Sequence, residues 1–212
     1  MDLYGDLISS STRRVLVTAD CVNAPIAFKV VDIVKKENRH DAFLQLNPNG
    51  TIPAFVDGDI VLFEASAIMT YLAEKYGSEL LPKGARRIET LKWTLWAAEH
   101  FRQGPNLLLE ERYLKKIHGE PENPWAVAHG EMLTRKYAAV LDEHLAHRRF
   151  VTGDTVTLAD FDLAAPFSHL TRSRAPLDEY PNLVEWHTRL LEQVPAWARR
   201  GADLERRIRE LN

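Results

Sequence analysis

Apolar and polar positions are spaced differently in the two parts of this chain. Up to residue 63 the apolar residues come in short runs rich in β-branched and aromatic side chains: MDLY, IAFKVV, PAFV and IVLF. Runs of this length and composition predict four strands. Between the first two, TRRVLVTADCV repeats its apolar residues at helical spacing through Val15, Leu16, Ala19 and Val22. A strand, a helix and a second strand in that order predict a parallel pair. The third and fourth runs are separated by Asp57-Gly58, and an Asp-Gly pair between apolar runs predicts a hairpin with antiparallel strands. HDAFLQLNPNG reads as a short helix and loop. EASAIMTYLAEKYG reads as a helix with Ile68, Tyr71 and Leu72 on one face and Gly77 as its stop.

After SELLPKG, residues 78–84, the strand signal nearly vanishes. Residues 86–118, 125–147 and 157–172 each carry a helical pattern. DEYPNLVEWHTRLLEQVPAWARR supplies a fourth, and 202–211 reads as a short polar tail. The expected organisation is an α/β domain over 1–77 (βαβ-α-ββα around a mixed four-stranded sheet), a linker over 78–85 and an all-α domain over 86–212.

Composition narrows the function classes. With 212 residues, 45% hydrophobic and 27% charged, the chain reads as soluble and globular, long enough for one large or two modest domains. A formal net charge of −3 lacks the basic footprint of a nucleic-acid binder, so no nucleic-acid partner is expected. No apolar run approaches the about 18 residues of a membrane span, and MDLYGDLI lacks the basic and apolar regions of a signal peptide. The single cysteine, Cys21, excludes a disulfide framework and a Cys-x-x-Cys site, which favours a reducing cytoplasmic location. Cys21 is expected to be a buried, inert thiol of the first helix. The histidines and carboxylates show no metal-ligand spacing, so no metal is expected; His144 and His147 fit a solvated helix face.

Few positions suggest chemistry by residue type alone. GDLISSSTRRV, residues 5–15, sets three serines and a threonine before an apolar helical run. One hydroxyl suffices to cap a helix, so the others are either solvation or function. TLAD, Thr157 to Asp160, reads as a capping box with Asp in place of Glu or Gln, and Asp160 as a structural residue. Pro53 belongs at the first position of its strand, because proline donates nothing to a ladder. Trp93, Trp96 and Phe101 have helical spacing. Tyr4 ends the first strand, where a half-buried tyrosine is the simplest reading.

LYGDLISSSTRRV, DAFLQLNPNGTIPAFVDGDIVLFEASAIMTYLAEKY, TLADFDLAAP and YPNLVEWHTRLL together resemble the glutathione S-transferases, closest to the theta and phi types, from Met1 to about Arg199. The resemblance implies a thioredoxin-like N-terminal domain, an all-helical C-terminal domain, a cis proline at Pro53 and a homodimer. It implies glutathione as co-substrate and a small hydrophobic electrophile as its partner in a detoxifying conjugation. Ser9 falls at the family's catalytic serine, leaving Ser10, Ser11 or Thr12 for the helix cap. His40, Thr51, Ile52, Pro53, Glu64, Ala65 and Ser66 fall in the segments that anchor glutathione. Trp96, Phe101 and Tyr113 are pocket candidates for the electrophile, chosen for their apolar character on the helix over 86–118.

Three positions depart from the family pattern. Ala65 stands where a serine usually meets the γ-glutamyl carboxylate, Thr51 replaces Gln or Lys, and Asn38 takes the place of a histidine, with His40 two residues on. These departures motivate two further readings. One is a non-catalytic binding or assembly protein with a weakened glutathione site. The other is a glutathione-dependent isomerase or dehalogenase, whose relatives carry Ser-Ser-Cys at the positions of Ser9, Ser10 and Ser11.

Overall fold

A computed structural model of the chain describes residues 1–211. The four strands form where the apolar runs place them: β1 (Asp2–Gly5), β2 (Ala27–Val30), β3 (Ala54–Asp57) and β4 (Ile60–Phe63). They make one sheet in the order β2-β1-β3-β4. β1 pairs parallel with β2 through the crossover helix α1 (Ser10–Cys21), and β3 pairs antiparallel with both β1 and β4. The hairpin forms as expected, one residue on from the Asp57-Gly58 pair: Asp57 pairs with Ile60 and Gly58-Asp59 makes the turn, with Gly58 at φ +60°, a conformation that costs glycine nothing. α2 (Asp41–Leu44) is the short helix of the HDAFLQLNPNG segment, and α3 (Ala65–Lys75) follows β4.

Strand alternation sorts the core by face. Leu3 and Phe55, paired across β1 and β3, are fully buried, as are Val15 of α1 and Ile68, Met69 and Leu72 of α3. Ala54, one residue along, joins Val31 and Phe43 in a second cluster, with Tyr4, Leu46 and Ile52 packed against it. Tyr4 is thus half-buried, as its place at a strand end suggested.

The described residues form two compact units, Met1–Leu81 with the segment that begins at Val194, and Pro82–Gln193. This differs from the expected helical domain over 86–212, and the reason lies in the last segment. Pro195, which has no N–H to continue a helix, separates two helices that the sequence reading had joined. The polar tail is the end of α11 (Pro195–Leu211), an amphipathic helix that buries Ala196, Trp197, Leu204 and Ile208. Leu204 and Ile208 cluster with Ile8. The Arg13 guanidinium lies 4.0 Å from the Trp197 ring centroid and donates to the Trp197 carbonyl at 2.6 Å. Arg200 grips Asp20 at the end of α1 with two bonds of 2.7 and 2.8 Å.

The second unit is helical throughout. The pattern over 86–118 is one winding run, not one regular helix: α4 (Gly84–Trp96), a π turn (Ala97–Phe101), α5 (Gln103–Leu109), a second π turn (Glu110–Leu114) and α6 (Lys115–Ile117). Pro105 accounts for the first π turn. It offers no N–H to the Phe101 carbonyl and its ring crowds that group, so the preceding turn widens, and the Arg102 N–H reaches back five residues to the Ala97 carbonyl at 3.0 Å. There follow α7 (Pro124–Leu145), α8 (Leu158–Ala164), α9 (Leu170–Ser173) and α10 (Pro181–Gln193).

Candidate functional site

The register of the sheet gathers four chain segments at one edge. Tyr4 lies opposite Ala54, Ala54 opposite Phe63, and Gly5 beside Val30. The loop from β1 to Ser9, the Ile52–Pro53 entry to β3, the Glu64–Ala65 step into α3 and the segment after β2 therefore all leave the same end. Every residue that the family resemblance assigned to glutathione lies in one of these four segments.

Ser9 is itself the N-cap of α1, a place the resemblance had left to Ser10, Ser11 or Thr12. Its extended backbone (φ −77°, ψ 124°) lets Oγ accept the Thr12 N–H at 3.3 Å. A hydroxyl that accepts in this way keeps its own proton for donation. Ser9 is half-buried and stands at the positive end of a twelve-residue helix. Ser11 is differently employed: its Oγ accepts from Arg14 Nη2 at 3.0 Å.

The Ile52–Pro53 bond is cis, as the resemblance implies, with Pro53 buried and Thr51 exposed. Asn47, also buried, donates to the Thr51 carbonyl at 2.6 Å and to its hydroxyl at 3.0 Å, so the short side chain that replaces Gln or Lys is tied inward. Asn38 donates to the Gly50 carbonyl at 2.7 Å; it braces the loop before Thr51. His40 is exposed and borders a cavity of about 220 Å³ with Tyr4, Glu37 and Phe43. Glu64 has φ +69° and ψ 112°, a conformation rarely taken by a residue with a Cβ, and makes no side-chain cap for α3. α3 therefore opens at Ala65 without a side-chain cap from Glu64, while the Ala65 methyl itself is buried.

Two of the three pocket candidates in the helical unit are in contact. Trp96 is half-buried, stacks on Phe101 and meets Tyr137 edge-on. Phe101 is fully buried, so it backs Trp96 and presents no surface of its own. Tyr113 lies beneath the Arg172 guanidinium, 5.7 Å away.

Two other expectations resolve clearly. Thr157 and Asp160 form the capping box; Asp160 is fully buried and also accepts from Val151 N–H at 3.0 Å and Trp186 Nε1 at 2.9 Å. Its role is structural, and burial pushes its carboxyl above the usual range. Cys21 is exposed at the end of α1, contrary to the buried thiol expected. Partial burial of the sulfur, then the Asp20 carboxylate, pushes its pKa up to about 11, so it carries little thiolate at neutral pH. Among the described residues, no group of three His, Cys, Asp or Glu is placed to hold a metal ion, and no helix is long and apolar enough to cross a membrane.

Residues 3–80 match the family described as glutathione S-transferase, N-terminal domain, and residues 113–193 match its C-terminal domain. The chain belongs to the glutathione S-transferase family. Glutathione S-transferase 3 of Zea mays is 34% identical over 180 residues, 83% of this chain and 80% of the relative. A theta-class glutathione S-transferase of Xanthomonas axonopodis, solved with glutathione bound, superposes with a TM-score of 0.85 at 26% identity, covering 93% of this chain and 95% of that one. Glutathione transferase F2 of Populus trichocarpa shares the fold with a TM-score of 0.87 at 23% identity, covering 96% and 98%. Likeness to plant F-type and theta-class proteins together marks this transferase as phi/theta-like, and one contact near the Ser9 loop escaped sequence reading. Asp6 and Arg207 lie far apart in sequence and meet beside Ser9. A lone Asp in a loop and an Arg among many in an amphipathic helix carry no local signal.

Proposed function

We propose that this protein is a cytoplasmic, homodimeric glutathione transferase in which Ser9 donates a hydrogen bond to the glutathione sulfur. The thiolate then attacks a small hydrophobic electrophile. The observation that carries the reading is the Ser9 cap, where Oγ accepts from the Thr12 N–H at the N-terminus of α1 and so keeps the hydroxyl proton for donation.

The magnitudes are sufficient. A free thiol has a pKa of about 8.5, and lowering it by about two units takes about 2.7 kcal/mol. A hydrogen bond to a charged acceptor contributes about 1.5–3 kcal/mol, and the helix end a further about 0.3–1 kcal/mol. At the anchoring end, backbone groups take over where side chains are missing. The backbone N–H of Ala65 at the N-terminus of α3 suits a carboxylate, Glu64 stands beside it for an ammonium group, and the backbone of Ile52 suits the peptide. His40 and Thr51 border the remaining end, and Trp96 and Tyr113 remain candidates for walls of the electrophile pocket.

Ser9→Ala should raise the apparent pKa of the bound thiol by at least about one unit and lower kcat/KM by about 10²-fold. Ultraviolet titration of the thiolate, beside calorimetric titration of reduced glutathione at pH 7, measures both binding and activation. Unchanged turnover and thiolate in the mutant would overturn the assignment. The buried Ala65 methyl favours one competing reading, a binding or assembly protein with a dismantled glutathione site; absence of heat at millimolar glutathione would establish it. Glutathione regenerated rather than consumed would instead mark an isomerase.

A further inference from the structure

The loop that carries Ser9 is held from a distance. Asp6 is fully buried; its Oδ1 accepts the Ile8 N–H at 3.2 Å and its carbonyl accepts the Ser9 N–H at 3.1 Å. One residue thus sets the turn into the cap. Arg207 of α11 grips that carboxylate with a fork, Nε to Oδ1 at 3.0 Å and Nη2 to Oδ2 at 3.2 Å. Two parallel bonds of this kind fix the plane of a carboxylate as well as its position.

The same guanidinium reaches a second loop. Nη2 lies 3.2 Å from Asp32 Oδ2. Asp32 accepts the Lys35 N–H at 3.0 Å and donates its own N–H to Glu37 Oε2 at 2.8 Å. This is the segment that leads through Asn38 to His40. Arg207 therefore ties together the chain leaving β1 and the chain leaving β2, the first carrying Ser9 and the second the anchoring residues. Stability alone explains such a pair poorly, since a buried ion pair is often no better than apolar side chains of similar volume. Geometry explains it well.

We propose that Arg207 is a positioning residue of the glutathione site: from α11 it holds Asp6 and Asp32 at once, and so sets the Ser9 hydroxyl against the anchoring loop. The inference rests on the Ser9 reading above.

The test uses the full chain with Ser9→Ala, Arg207→Gln, Arg207→Lys and Asp6→Asn. It is run well below the thermal midpoint, with circular dichroism confirming the fold. Asp6→Asn keeps an oxygen for the Ile8 N–H while removing the charge that holds the fork, so it remains informative if Arg207→Gln folds badly. The readouts are the thiolate titration of bound glutathione and KM for glutathione. Arg207→Gln and Asp6→Asn should each raise the thiol pKa by about one unit, a tenfold loss of activation, and raise KM about fivefold, a size typical of coupling through a packed network. Arg207→Lys should recover part of both. In a Ser9→Ala background, Arg207→Gln should move the thiol pKa no further, since coupled residues do not add. Wild-type thiol pKa and KM in both Arg207→Gln and Asp6→Asn, with only a lowered thermal midpoint, would overturn the inference. If Ser9→Ala alone leaves the thiolate untouched, the Ser9 reading falls and takes this inference with it, an outcome identified by that variant separately.

Discussion

Asp160 illustrates how much one side chain can hold. Its Oδ1 takes the Val151 N–H and the Trp186 indole, while Oδ2 takes the N–H and hydroxyl of Thr157 at 2.8 and 3.2 Å. Burial pushes the carboxyl above its usual range, and the four donors pull the other way. Asp160→Asn would turn an amide NH₂ toward two of those donors. It should cost about 2–4 kcal/mol, the range for stranding two buried polar partners. Urea unfolding should show a lower midpoint at unchanged slope, with kcat of the folded enzyme intact, which separates a cap from a catalytic acid. Glu64 is the opposite kind of residue. Its φ of +69° is a strain of about 1–3 kcal/mol, and it sits where α3 opens uncapped. The TLAD pattern made the first residue legible, because a capping box is local. Nothing local distinguishes Glu64 from an ordinary surface glutamate, and only the resemblance drew notice to it.

Among the elements, α5 and α7 approach each other closely at a pair of glycines. A Cβ added to Gly104 would lie 2.5 Å from Thr134 Oγ1, 2.6 Å from its N and 2.7 Å from the Gly130 carbonyl. Two of those three atoms are backbone, so the helices would have to separate. Gly104→Ala should therefore destabilise the helical unit by about 1–3 kcal/mol, although alanine is the better helix former; a thermal melt followed by tryptophan emission measures it. The strands, the hairpin and most helices were legible because period and turn chemistry are local. The π turns were not, since Pro105 reads as a simple breaker until its neighbours show how the helix accommodates it. The fate of α11 was not legible either. Its polar positions pair with residues nearly the whole chain away, Asp6, Asp20 and Asp32, and such pairings leave no trace in spacing.

For the whole molecule, charge sets the response to acid. Lys115, then the Asn123 N–H, hold Glu111 below the usual carboxylate range; Arg112 and Arg135 do so for Glu131, and Lys75 and Tyr71 for Asp57. In the first unit the Lys35 N–H, with Arg207, does the same for Asp32. A carboxylate whose pKa is lower folded than unfolded stabilises the fold above its unfolded value and loses that contribution as pH falls through the folded one. The unfolded values are near 3.8 for Asp and 4.5 for Glu. The thermal midpoint should thus be nearly level from pH 7 to about 5 and fall steeply below about 4.5. Glu131→Gln should lower the neutral midpoint and shallow that fall, as scanning calorimetry across pH would show.

The return of α11 to the first unit also bears on how the protein is made. Translation delivers β1 to α3 first, then the entire helical unit, and only afterwards the helix that covers Ile8 and clasps Asp6. The unit encoded in the middle has all of its sequence before the outer one does. On the ribosome the usual order, N-terminal domain first, is therefore inverted at the last step: the Ser9 loop waits, lacking its Arg207 clamp, until the segment beyond Val194 has emerged.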